Sequence, residues 1–74
     1  MEIDIDTIRE IAKFLFDNKI PAHIDTYDGG FYNGLIKELF DNSLVILDNY
    51  KGLMPLPFIN IYKIEKKFER RRED

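Results

Sequence analysis

Ile20-Pro21-Ala22-His23-Ile24-Asp25-Thr26-Tyr27, then Asp28-Gly29-Gly30, then Phe31-Tyr32-Asn33-Gly34-Leu35-Ile36-Lys37-Glu38-Leu39 is the stretch whose reading decides the fold. Its first segment alternates with a period of two, the signature of a half-buried strand. Asp-Gly is a strong hairpin signal, because both central positions of a tight turn can take positive φ. The two flanking segments are therefore expected to pair antiparallel. Gly34 falls in the middle of the second strand, where a residue without a side chain marks a bulge or a sharp bend. Small barrels need such a corner.

Working towards the C-terminus, Asp41-Asn42-Ser43 reads as a turn and Leu44-Val45-Ile46-Leu47 as a continuous apolar strand, expected to be buried on both faces. A second turn covers residues 48–52. Leu53-Met54-Pro55-Leu56 makes a fourth strand, placed at a sheet edge by its prolines. A tight turn over 57–60 leads into a fifth strand, which begins Ile61-Tyr62-Lys63-Ile64. The charged tail 69–74 reads as a solvated end.

Towards the N-terminus the period changes to that of a helix. Ile8, Ile11, Ala12 and Leu15 fall on one helical face, and Phe14 and Phe16 widen that stripe. Thr7-Ile8-Arg9-Glu10 has the spacing of a capping box, so the helix is expected to start at about residue 7. Asp17-Asn18 should end it, with Asn18 in the left-handed conformation and Pro21 following. The whole chain then reads as one domain. It is mainly β with an N-terminal α-helix over 7–17 and a small, five-stranded, strongly bent antiparallel SH3-like barrel over 20–68. The expected core is Ile8, Ile11, Leu15, Ile24, Leu35 or Ile36, Val45, Leu47 and Ile64.

A chain of 74 residues has a marginal core of its own. It has no cysteine, so neither disulfides nor a thiolate zinc site can reinforce it. Hydrophobic residues nevertheless make up 45% of the sequence and aromatics 14%, more than a small monomer readily hides. Self-association is the expected remedy. No apolar run is long enough for a membrane span and no signal peptide is recognisable, so the expected location is the cytoplasm. Residues 1–50 carry a net charge of −6 and residues 51–74 a net charge of +3. Such a chain is not expected to bind duplex DNA or RNA across its whole surface, which takes a strongly basic protein. Any nucleic-acid contact must be local.

Catalysis is poorly provided for, and no enzymatic activity, cofactor or metal is expected. His23 is the single histidine and reads as a solvent-facing strand residue, with no partner at metal-ligand spacing. Thr7, Thr26 and Ser43 have no nucleophile elbow and no nearby base. Gly29, Gly30 and Gly34 do not form a phosphate-binding loop, since no helix follows them.

The helix, Ile20-Pro21, Ile24, Gly29, Gly34, Ile36, Phe40-Asp41 and the apolar run 44–47 together resemble the Sm-like family, and within it the Hfq branch of bacterial RNA chaperones. The resemblance spans about residues 7–65, with one residue inserted before Phe40-Asp41. It implies a closed homo-oligomeric ring of six or seven subunits, in which the fourth strand of one subunit pairs with the fifth of the next. Met54, Leu56, Phe58 and Ile61 are the candidate interface residues. It also implies a single-stranded RNA partner. Asn42 would meet a base edge with Asp41 orienting its loop, while Gly29, Gly30, Phe31 and Tyr32 would lie on the opposite ring face. Tyr27, Phe31, Tyr32 and Tyr50 are candidate stacking platforms. The chain also departs from the branch. Ser43 stands where the branch has a base-stacking aromatic, its pore Lys-His pair is replaced by Phe58-Ile59, and Phe16-Asp17 replace its basic rim, leaving Lys19. The alternative reading is a barrel used for self-assembly or protein contacts without nucleic acid.

Overall fold

The computed structural model describes residues 4–67; Phe68 and the tail 69–74 lie outside the described residues. Helix α1 (Ile5–Asp17) is followed by strands β1 (Ala22–Thr26), β2 (Phe31–Leu39), β3 (Ser43–Asp48) and β4 (Gly52–Pro57). A 3₁₀ turn, η1 (Phe58–Asn60), leads to β5 (Ile61–Lys66). The five strands form one antiparallel sheet in the order β4-β3-β2-β1-β5. No helix among the described residues is long and apolar enough to cross a membrane.

The helix starts earlier than its capping-box spacing suggests. Asp4, not Thr7, is the N-cap, and its carboxylate accepts the Thr7 N–H at 2.8 Å. The N–H and hydroxyl of Thr7 hold that carboxyl below its ordinary value. Asp4 stands directly before Ile5, the first helical residue, where the orphan N–H groups begin. The other end differs too. Asn18 keeps φ at −99°, while Lys19 takes the left-handed conformation at φ 55°. The Lys19 N–H donates to Phe16 O and the Ile20 N–H to Leu15 O, the paired bonds of a Schellman ending.

Two features shape β2. A Cβ on Gly34 would come within 1.9 Å of the Leu47 carbonyl oxygen, so only glycine permits the approach of β3 there. Farther along, the register slips between Ile36 and Glu38, giving a bulge around Lys37. The extra residue is taken up inside the strand. It leaves Lys37 and Glu38 both exposed and returns Leu39 to the core side.

The consequence is a curled sheet. Flat, five strands would put β4 and β5 about 19 Å apart at a spacing of about 4.8 Å. Yet three residues join them, and a short 3₁₀ turn advances only about 2 Å per residue. The Phe58 N–H donates to Asn42 O at 2.9 Å, and the Tyr27 N–H donates to Asn60 O at 2.9 Å. So η1 ties both ends of β2 together. The expected barrel is not closed by strand pairing: β4 pairs only with β3, and β5 only with β1.

The core lies between α1 and the inner face of this sheet. It holds Ile8, Ala12, Leu15, Ala22, Ile24, Ile36, Leu44, Ile46, Leu56, Phe58, Ile61 and Ile64. Ile11 packs against it only partly buried, and of the pair Leu35 and Ile36 it is Ile36 that enters. In β3 the inward residues are Leu44 and Ile46, not Val45 and Leu47. The strand is covered on one face only. Leu35, Leu47 and Leu53 are instead cross-strand partners on the outer face, 36%, 41% and 63% exposed.

Candidate functional site

The 3₁₀ turn organises the candidate residues into two groups. On one side, the Asn42 carbonyl is bonded to Phe58, and Arg9 Nε donates to the Asp41 carbonyl at 3.0 Å. The Arg9 guanidinium also lies 5.7 Å from the centre of the Phe58 ring. The loop is thus held through the backbone carbonyls of Asp41 and Asn42. Both the Asp41 carboxylate and the Asn42 amide are exposed, without a hydrogen bond among the described residues. They are free to meet a ligand.

On the other side lies the β1–β2 turn. Thr26 is buried, and its hydroxyl bonds to Asp28 and accepts the Gly30 N–H at 3.1 Å. The Thr26 hydroxyl first, and then the Gly30 N–H, hold the Asp28 carboxyl below its ordinary value. Gly29, at φ 90°, supplies the left-handed residue that closes the turn.

Lys51, from the β3–β4 turn, reaches across to donate to the Phe31 carbonyl at 2.8 Å. Its ammonium sits 5.0 Å from the Phe31 ring centre and 4.5 Å from that of Tyr32. This is cation–π geometry. Tyr27 and Tyr62 form a tilted pair 5.3 Å apart, both exposed, and Tyr50 is almost fully exposed. Tyr32 packs against the core, so of the candidate platforms it is the one turned inward. Tyr62 carries no sequence signal: it stands in a strand where an aromatic is ordinary. Lys51 is equally silent until the fold brings the β3–β4 turn over Phe31.

Asp48 positions that turn. It is buried, and its carboxylate accepts the N–H groups of Asn33, Tyr50 and Lys51 at 2.8–2.9 Å. Burial pushes its carboxyl up, but the three N–H groups and the Lys51 charge outweigh burial and leave it below its ordinary value. A negative carboxylate with three donors is an anchor, not a proton donor at neutral pH.

His23 is half-buried rather than solvent-facing, with Nδ1 2.8 Å from Asn33 Oδ1 and Nε2 3.1 Å from Asp25 Oδ1. Asn33 is its cross-strand partner, a relation no sequence spacing displays. No group of three or more acidic or histidine side chains among the described residues is placed to hold a metal ion.

The interface candidates separate by strand alternation. Leu56, Phe58 and Ile61 are at most 4% exposed and Met54 packs partly buried against the core, so these side chains serve the chain's own interior. The residues of β4 that face outward are Leu53, Pro55 and Pro57. No family model matches this chain, and no curated protein matches it.

Proposed function

We propose that this chain is an Sm-like, ring-forming protein that binds single-stranded RNA. The observation that supports the reading is the pair of terminal strands, β4 and β5, each with one free edge and joined by η1. Open edges invite pairing with another chain, and two different edges on one subunit give a head-to-tail contact that can close into a ring. The outer row Leu35, Leu47 and Leu53 runs up to the β4 edge, where a neighbour would cover it.

RNA binding is supported by the surface beside η1. Phe31, Tyr27 and Tyr62 offer exposed rings, Lys51 lies over Phe31, and the Asn42 amide is exposed at the β2–β3 turn. A base stacked on such a ring contributes about 1–3 kcal/mol, so repetition around a ring would offset the acidic charge of the first fifty residues. The acidic charge of the first fifty residues and the Phe58-Ile59 pair favour the second reading, a barrel used for self-assembly or protein contacts without nucleic acid, while Pro55 and Pro57 weigh against the ring because each removes an N–H from an edge ladder.

Titration with oligo-U and oligo-A at two salt concentrations separates the two. Saturable, salt-sensitive binding is expected, with Asn42→Ala weakening oligo-U by about 1–3 kcal/mol. No signal with either oligomer would leave the protein-contact reading.

A further inference from the structure

We infer that His23 and Asn33 form a proton-driven switch on the outer face of the sheet, in which the charge of the imidazole sets whether Asn33 offers a hydrogen-bond donor or an acceptor to its surroundings. The switch depends neither on ring formation nor on RNA binding. His23 and Asn33 are cross-strand partners in β1 and β2. The Asn33 N–H donates to Asp48 Oδ1 at 2.8 Å, and the Asn33 carbonyl accepts the Asn49 N–H at 2.9 Å. Both backbone bonds therefore point away from β1. His23 and Asn33 are thus a non-hydrogen-bonded pair, the kind whose side chains stand closest. The same two bonds fix the main chain of Asn33, so its side-chain amide is the part left free to turn.

The imidazole lies between two oxygens. Nε2 is 3.1 Å from Asp25 Oδ1, and Nδ1 is 2.8 Å from Asn33 Oδ1. A carboxylate only accepts, so Nε2 carries a proton whether the ring is charged or neutral. The two charge states differ at Nδ1. In the imidazolium Nδ1 is a donor and matches the amide oxygen found beside it. In the neutral ring it is a lone pair and needs the amide N–H₂ instead. A half-turn about the last side-chain torsion of Asn33 exchanges the two without changing the shape of the amide. The structure holds the arrangement that fits the charged ring.

The groups around the ring come from three strands. Asp25 stands on its own strand, and β5 sets Glu65 directly opposite His23. Lys63 lies opposite Asp25 and 3.6 Å from Glu65, and Lys66 is opposite Ala22. From β2 come the uncharged Asn33 and Phe31, with Lys51 held over the Phe31 ring. Helix α1 packs on the other face of the sheet. The Asn33 amide nitrogen has no partner among the described residues, and no side-chain nitrogen or oxygen there is buried without one, so it reaches solvent. The outer face therefore presents a donor at Asn33 when His23 is charged and an acceptor when it is neutral. One position recognises opposite hydrogen-bonding groups, and a proton chooses between them.

The test is a ¹H–¹⁵N titration of the labelled full chain between about pH 4.5 and 9, following both ring nitrogens of His23 and the Asn33 carboxamide. Both ring nitrogens should be protonated at the acid end and Nε2 alone at the basic end. One Asn33 carboxamide proton should move downfield on the basic side, with the same midpoint as the ring. His23→Gln should flatten that response while the Asn49 amide keeps its position. The wild-type titration decides the matter even where the variant fails to fold. A ring that keeps one charge state throughout, a neutral ring protonated at Nδ1, or an Asn33 carboxamide indifferent to the ring would overturn the assignment. So would an unchanged response in His23→Gln.

Discussion

The two free edges of the sheet are built differently. β4, Gly-Leu-Met-Pro-Leu-Pro, carries no charge, while β5, Ile-Tyr-Lys-Ile-Glu-Lys, carries three. Proline is tolerated at an edge when its missing N–H faces solvent, so Pro55 and Pro57 leave the free side of β4 rich in carbonyls and poor in donors. β5 keeps every N–H and is protected by Lys63, Glu65 and Lys66 instead. The difference teaches which pairing the molecule permits. Two β4 edges together would lack donors. A β4 edge against a β5 edge matches acceptors to donors, and it places the exposed Leu53 beside a strand instead of in water. In the proposed ring, unlike edges would make the head-to-tail contact.

The largest expected effect comes from blocking the close approach of β2 to β3 at Gly34. Gly34→Ala places a methyl group 1.9 Å from the Leu47 carbonyl oxygen, and backbone cannot step aside as a flexible side chain could. Denaturant unfolding should report a loss of about 4 kcal/mol or more, or no folded protein at all. A well-folded variant would show that β2 does not need its close approach to β3.

A smaller change should strike one edge and spare the other. Asp48→Asn loses the charge that three N–H groups and Lys51 stabilise, at the turn from which β4 starts. The expected cost at neutral pH is about 1–3 kcal/mol. Hydrogen exchange should accelerate over residues 49–54 more than in β5. The pH dependence has a definite sign. The folded-state carboxyl is depressed, so its contribution is present above the unfolded value and is lost as pH falls from about 4 through the folded value. The wild type should therefore lose part of its stability in that window, and Asp48→Asn should lose less. Parallel acid limbs would remove Asp48 as the anchor of β4.

The smallest effect touches neither edge. Lys19→Gly relieves the left-handed backbone after α1 and should stabilise by about 0.5–1 kcal/mol, read as a raised melting temperature. A destabilised variant would mean that the Lys19 side chain contributes more packing than its exposure suggests.

Much of this was legible in the residues. The helix stripe, the Asp-Gly turn and the edge prolines are local signals that stand where they were read, whereas Gly34 marks a close approach to Leu47 and the bulge read there falls between Ile36 and Glu38. The failures share a cause. The bulge at Lys37 adds one residue to β2, and in a continuous apolar run such as residues 44–47 alternation offers no phase to read. The run reads as buried on both faces with Val45 and Leu47 in the core, whereas only Leu44 and Ile46 are buried. Leu56, Phe58 and Ile61 were assigned to an interface because a curled sheet with a 3₁₀ turn in its corner cannot be recognised from hydrophobicity alone. Of the candidate site, the Asn42 turn and the β1–β2 turn were visible as turns. That η1 bonds to both of them was not, since it joins backbone groups far apart in the chain and uses no side chain. The Lys51 contact with Phe31 and Tyr32, and the contact of His23 with Asn33, were hidden for the related reason that they cross between strands.

Whether the two unlike edges meet is decided most directly by sedimentation velocity of the purified chain at micromolar concentration. The expected result is a single species six or seven times the 8.8 kDa of the chain. Leu53→Asp, at a position 63% exposed and so tolerated by the fold, should return it to the monomer with an unchanged circular dichroism spectrum. A wild-type protein that sediments as one 8.8 kDa species would contradict the ring. So would a large species that Leu53→Asp leaves intact.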